Sequence, residues 1–398
     1  MFESFQYRDF RWLWMGSFLN FMAIGMQMMA RGWLVLRLTD DSPLALSYVM
    51  IALSLPMTFI SLLGGALADR ISKKRLLMGV QAGNAVMTGL LAVLDFTGNI
   101  RFWHLIAIGL VNGSLMAINM PSRQALISDI VPQEKLMNAI SLNNSGTNLT
   151  RTIGPALAGV LIVFIDTSGV FFLISALYIF SLLSVWMIRI EKKSAGNAKG
   201  IAQDIGEGLK YAVDDSTLRG LIITLFIPVF FGFSLIVLLP AWGREALQVQ
   251  ADALGMLLMV MGGGSLLGSL ILAGLQNLIR RGMWLLVNGF LWGGAMIFFS
   301  QAASYATALP FLFIVGFLSA VFMSLNMTLM QEYSADVMRG RIMSIAMMSF
   351  GAMPLSSLPF GALAEWIGTP NALCISGIML AVLTLVFAFL NPRFLKIN

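Results

Sequence analysis

Twelve apolar stretches, each long enough to cross a bilayer, follow one another along this chain with only short polar breaks between most of them. A spanning helix needs about 20 mostly apolar residues. Such stretches occupy residues 11–36, 44–68, 76–96, 102–122, 136–164, 168–189, 218–241, 253–278, 282–302, 306–330, 341–364 and 370–391. The composition leaves no soluble alternative: 58% of the residues are hydrophobic and 11% charged, where a soluble domain carries about 25% charged residues. The mean hydropathy is +0.84. With the bilayer as solvent, the backbone must satisfy its own hydrogen bonds, and segments of this length do so as helices. The sequence therefore predicts an all-α integral membrane protein with twelve transmembrane helices.

Assigning alternate loops to opposite sides splits the 25 lysines and arginines 20 to 3, with Arg31 and Arg151 left inside spans. The minority side holds Arg37, Arg101 and Arg244; the majority side counts Arg123 as a loop residue. Excess loop cations mark the cytoplasm, so both termini are expected there, in a bacterial inner membrane. The net charge of +6 belongs to these loops and does not call for a nucleic-acid partner. The opening MFESFQYRDFRWLW lacks the pattern of a cleavable signal. One cysteine, Cys374, excludes an intrachain disulfide, and one histidine, His104, excludes a histidine-cluster metal site. No cofactor is implied.

The longest polar stretch, EKKSAGNAKGIAQDIGEGLKYAVDDSTLRG, separates spans six and seven. Within it Ile201, Ile205, Leu209 and Val213 recur every four residues, the pattern of an amphipathic helix on the inner membrane face. The chain is thereby divided into an N-terminal six-helix bundle (1–190), a linker (191–217) and a C-terminal six-helix bundle (218–398). The halves also repeat. Asn119, Met120, Gln124 and Asp129 recur at Asn326, Met327, Gln331 and Asp336, an offset of 207. Ala156-Leu157-Ala158 then matches Ala362-Leu363-Ala364 at 206. Two pseudo-symmetric halves are the architecture of alternating-access carriers, whose site lies between the halves near midplane.

Two motifs carry more specific information. The segment from Gly65 to Arg75, GALADRISKKR, joins spans two and three. Its basic group, Arg70, Lys73, Lys74 and Arg75, pins the turn to the cytoplasmic side, as it would in any multispanning protein. The spacing Gly65-x-Leu67-x-Asp69-Arg70-x-x-Lys73-Lys74 resembles the signature loop of the major facilitator superfamily, with Ser72 where that family usually has a second glycine. In span five, Gly146, Gly154, Pro155 and Gly159 resemble the fifth-helix motif of antiporters in that superfamily, which is associated with export. Gly-Pro also invites a bend on its own account. The stretches WLVLRLTDDSPLALSYV, LLGGALADRISKKRLLMGVQ, MPSRQALISDIVP and TRTIGPALAG are jointly similar to the twelve-helix bacterial exporters typified by the enterobactin exporter and including macrolide-efflux proteins. The resemblance covers most of residues 8–220 and weakens beyond. It implies the major facilitator fold, export, a usually monomeric protein, and a gate in which Gly65, Asp69, Arg70, Lys73, Lys74, Arg75, Gly154, Pro155 and Gly159 take part.

The exceptional charges are Arg151, deep in span five, and Arg31, nearer the end of span one, where snorkelling is open to it. An ionisable residue in a span faces the bundle interior and pairs with something. No Asp or Glu lies deep in any span, so Arg151 is left to backbone carbonyls, to Asn144 and Asn148, to water, or to an anionic substrate group. Other polar residues on single helix faces are Asn20 and Gln27 on span one, Asn112 and Asn119 on span four, and Asn326 on span ten. The resemblance implies that these spans line the central cavity; bonding between helices accounts for the same residues equally well. The missing midplane carboxylate argues against a cationic-drug antiporter and for a neutral or anionic amphiphile. No phosphate-binding Gly-rich loop with Lys-Ser/Thr is present, so proton coupling by way of Asp69, Asp40, Asp41 or Glu245 is the expectation by analogy. The leading reading is a secondary exporter of small amphiphilic organic molecules, siderophore-like or drug-like, whose partners are substrate, membrane lipid and protons. A lysophospholipid or lipid-like flippase, and a non-transporting membrane receptor, are the alternatives. An enzyme is disfavoured by the lack of catalytic residues in the spans.

Overall fold

Backbone polar groups that enter the hydrocarbon must find partners within the protein, which favours helices, and the described spans are helical. A computed structural model of the protein describes residues 3–70, 72–189, 210–275 and 279–397, and no strand forms among them. The helices are α1 (Arg8–Leu38), α2 (Pro43–Arg70), α3 (Lys73–Phe96), α4 (Phe102–Ile130), α5 (Gln133–Trp186), α6 (Ser216–Phe231), α7 (Ser234–Leu247), α8 (Ala251–Gly274), α9 (Arg281–Ser300), α10 (Tyr305–Glu332), α11 (Asp336–Ile367) and α12 (Thr369–Leu390). Helix α5 has 54 residues, about twice what a bilayer needs, and counts as two spans. Helices α6 and α7 lie within one apolar segment, Ser216–Leu247, and count as one. Counted so, the described helices make twelve spans. The expected amphipathic stretch of the linker, 201–209, lies outside the described residues.

The chain forms two compact units, the first of Met1–Asp40, Ile51–Ala198 and Gln250–Met259, the second of Asp41–Met50, Lys199–Val249 and Val260–Asn398. In the first, α1 lies along both limbs of α5. Gly25 of α1 meets Gly154 on the first limb, and Gly16 meets Ser184 on the second; small residues permit this close approach. Ser181 Oγ donates to Gly16 O at 2.7 Å, and Trp14 Nε1 to Leu142 O at 3.0 Å. In the second unit α9 packs along α12 and α10, while α6 packs against α11. Gly293 and Gly377 let α9 and α12 approach closely, a Cβ on Gly293 standing 2.6 Å from Gly377 O. Trp242 Nε1 donates to Ser300 O at 2.9 Å inside this unit.

The sequence repeat has a counterpart in bonding. Asn119 of α4 donates to Asn20 Oδ1 of α1 at 3.3 Å. Its match, Asn326 of α10, donates to Leu221 O at 3.2 Å and Thr224 Oγ1 at 3.1 Å, both on α6. Each asparagine thus ties the fourth span of its half to the first.

One span boundary needs correcting, and one break falls where hydropathy places it. Between spans five and six, after 164 and before 168, the residue that leaves helical dihedrals is Asp166, at φ 58° and ψ 175°. A non-glycine residue there is strained. Its carboxylate offsets part of that cost by accepting the Thr167 N–H at 2.6 Å and Arg37 Nη1 at 3.0 Å. Arg37 also pairs with Asp95, and Thr167 Oγ1 donates to Asp95. The correction is at Arg123. Hydropathy ends span four at 122, but α4 continues to Ile130, and Arg123 is 2% exposed inside the unit. The helix carries a buried cation because Ser17 and Asn119 replace water around it.

Asp166→Ala keeps the strained backbone and removes both bonds, so thermal unfolding of the detergent-purified protein should report a loss of about 1–2 kcal/mol. Asp166→Gly, which relieves the strain, should lose less; equal losses would mean that the backbone conformation carries no cost.

Candidate functional site

Buried polar side chains concentrate on α1 and the helices facing it in the first unit. Gln27 Nε2 donates to Thr88 Oγ1 of α3 and Gln27 Oε1 accepts from Tyr178 OH of α5, both at 3.1 Å. One turn along, Arg31 Nη2 donates to Asn112 Oδ1 of α4 at 2.8 Å, and Asn112 Nδ2 donates to Asn84 Oδ1 of α3 at 2.8 Å. Arg31 is 4% exposed and makes no ion pair among the described residues. Nearer the other end of α1 stands a second group: Asn20, Asn119, Arg123 and Ser17. Gln27, Arg31, Asn20, Asn112, Asn119 and, in the second unit, Asn326 are all buried and bonded to neighbouring helices. In this conformation they tie helices together.

Arg151 behaves differently. It sits about midway between Gln133 and the turn at Asp166, is exposed, and has no hydrogen-bond or ion-pair partner among the described residues. At about 3.6 residues per turn, Asn144, Asn148 and Arg151 share one face, and all three are exposed. The same stripe continues through Pro155, Ala158 and Ile162, which are buried. One stripe of α5 is therefore polar and open over its first half, then closed by packing. Ionisable residues within spans almost always face the bundle interior or a water-filled cavity, which makes this half-stripe the candidate site.

Pro155, where the stripe closes, belongs to the fifth-helix motif, and the motif glycines Gly154 and Gly159 pack tightly beside it. A Cβ on Gly154 would stand 3.1 Å from Gly25 Cα of α1, and one on Gly159 would stand 2.4 Å from Ala251 O of α8. Pro155 touches both neighbours, its ring against Gly25 and its carbonyl against Gly255. In the loop motif, Ser72 caps α3 by accepting the Arg75 N–H, a role that a glycine could not fill. Lys73 pairs with Asp129 at the end of α4 at 2.8 Å, and Lys74 Nζ donates to Ile188 O at 2.7 Å beyond the end of α5. Arg75 is exposed. The side chains of Gly65, Asp69 and Arg70 lie outside the described residues.

Of the other acids named as coupling candidates, Asp40 is exposed, whereas Asp41 holds Arg244 through two bonds of 2.9 and 3.2 Å. Glu245 Oε2 accepts the Thr369 N–H at 2.8 Å. His104 Nδ1 accepts the Arg101 N–H and caps α4. Sequence reasoning missed three buried groups. Asp95, whose side chain is 2% exposed, was hidden at the end of its span. Arg123 was mistaken for a loop cation. Gln81 is fully buried with neither amide atom bonded, and its place on the Asn84–Thr88 face of α3 was the signal available.

Two repeated bundles of spanning helices are the architecture of secondary transporters that work by alternating access. The chain's structural neighbours include a bacterial homologue of the human lysosomal transporter Spinster in an inward-facing, unoccupied conformation, with a TM-score of 0.77 at 15% identity over 97% of each chain. The nucleoside transporter NupG matches with a TM-score of 0.76 at 13% identity, covering 96% of this chain and 99% of that one. More specifically, the transmembrane secretion effector family matches residues 1–396, and the chain belongs to that family. Among its relatives, the staphyloferrin A transporter of Staphylococcus aureus is 26% identical over 96% of both chains. The multidrug efflux pump Tap of Mycolicibacterium fortuitum is 24% identical over 94% of this chain and 93% of its own.

Gly159→Ala should destabilise the protein by about 1–3 kcal/mol, because the facing atom is a backbone carbonyl that cannot swing away. Gly263→Ala, where nothing lies within 4 Å, is the control and should be neutral or slightly stabilising. A thermal-unfolding comparison in which both behave alike would remove the close α5–α8 approach as an explanation of the motif.

Proposed function

We propose that this protein exports small amphiphilic organic molecules with neutral or anionic polar groups across the bacterial cytoplasmic membrane, with both termini in the cytoplasm. The observation that carries the reading is Arg151, an exposed cation without a partner among the described residues, set with Asn144 and Asn148 on the open half of one helix face. A catecholate would find a charge-assisted bond there, flanked by two amides that also serve a neutral polar group. A cationic drug would meet repulsion. Kinship with a staphyloferrin A transporter and with a multidrug efflux pump supports a siderophore-like or drug-like cargo.

Transport proceeds by alternating access with protons as the driving ion, the α2–α3 loop holding one of the two states. Asp69→Asn should then bind cargo normally and turn it over more slowly in proteoliposomes; unchanged turnover would remove Asp69 from the gate.

Ligand-induced thermal stabilisation tests the site itself, with catecholates, neutral macrolides, lysophospholipids and cationic dyes as the panel. Arg151→Ala should weaken binding of the anionic compounds by roughly 10- to 100-fold, the worth of one hydrogen bond to a charged group, and leave neutral ones nearly unchanged. Equal weakening for both classes would make Arg151 structural. Stabilisation by lysophospholipids alone would favour a lipid flippase.

A further inference from the structure

The second buried arginine of the first unit is part of a network with donors to spare. Arg123 Nη1 donates to Ser17 Oγ at 2.5 Å and Arg123 Nε to Asn119 Oδ1 at 3.2 Å. Asn119 Nδ2 donates in turn to Asn20 Oδ1 at 3.3 Å. The ring of Phe21 lies 5.8 Å from the guanidinium carbon. Two atoms of this network are buried without a partner, Arg123 Nη2 and Asn20 Nδ2. Both are donors. No carboxylate pairs with Arg123 among the described residues, so the network lacks both an acceptor and a negative charge.

Packing does not require this charge. The offset of 207 that maps Asn119 onto Asn326 maps Arg123 onto Met330, which is 0% exposed. The second unit thus builds the same asparagine tie, from Asn326 to Leu221 and Thr224, around an apolar side chain. A charge kept inside one copy of a repeat whose other copy packs without it needs a reason beyond stability, since each unpaired buried donor costs about 1–3 kcal/mol or more when charged.

We propose that Arg123, with Asn20 and Asn119, forms an anion-binding site between α1 and α4 that takes a carboxylate group. The planar guanidinium matches a carboxylate in two-bond geometry, and Asn20 Nδ2 supplies a further donor. Water would satisfy the donors and leave the charge unbalanced; a carboxylate does both. Two bonds close the seam between α1 and α4, Arg123 to Ser17 at 2.5 Å and Asn119 to Asn20 at 3.3 Å, and the second is at the long end of the N–H···O range. The carboxylate comes either from a carried molecule or from a free small anion. Neither the role of Arg151 nor the direction of transport enters the argument.

The test is thermal stabilisation of the full-length protein in detergent by succinate and acetate, against succinamide and acetamide at matched ionic strength. The wild type should be stabilised by the carboxylates and not by the amides. Arg123→Met, which places in this unit the residue its repeat already carries, should fold with a ligand-free Tm near wild type and lose the carboxylate shift. Asn20→Ala should weaken it roughly tenfold. Arg151→Ala should retain it. A carboxylate-bearing dye that binds more tightly than acetate, but not as its methyl ester, assigns the group to cargo; equal affinity assigns it to a free anion. Absence of a wild-type shift, persistence of the shift in Arg123→Met, or its loss in Arg151→Ala would overturn the proposal.

Discussion

A bilayer offers no water to a polar group, so each one that enters must be met by another part of the protein or by a water-filled space. Most of the first unit can be read from that constraint. Helix α1 brings Asn20, Gln27 and Arg31 into the hydrocarbon, and α3, α4 and α5 answer with Thr88, Asn112, Asn119 and Tyr178. These bonds fix the register of four helices against one another, something that apolar contact alone does loosely in lipid, where tails are as apolar as leucine. The groups left without an answer are then informative, because leaving them so is costly.

The two halves use the same architecture with different chemistry. The matched asparagines hold their spans alike, yet the first unit surrounds Asn119 with Arg123, Ser17 and Asn20, whereas the second surrounds Asn326 with Thr224, Met330 and a backbone carbonyl. A duplicated fold keeps what packing needs in both copies. What differs between the copies is free to serve recognition, and the polar surplus here lies in the first copy.

The spans and the repeat were legible because they depend on long-range composition: twenty apolar residues read as a span whatever their order. Single polar residues were harder. Arg123 was read as a loop cation because hydropathy stops at a charge, while the helix stops only where its backbone does, at Ile130. Asn20, Gln27 and Asn119 were recognised as facing inward, but spacing cannot tell a cavity wall from a helix contact. Burial decides that, and it placed them in contacts. Arg151 was found by its depth in the span, whereas its openness depends on how α1 and α8 flank α5, which no local pattern encodes. The break between spans five and six was legible too: hydropathy ends one at 164 and begins the next at 168, and the chain leaves helical geometry between them, at Asp166.

That turn has a mechanical meaning. Loops between spans act as slack, letting each helix shift without dragging its neighbour. At Asp166 one residue separates the limb bearing Arg151 from the limb bearing Tyr178, and Arg37 and Thr167 clasp its carboxylate. The fifth and sixth spans are therefore joined with little slack, the one strained residue between them held by Arg37 of α1 and by Thr167.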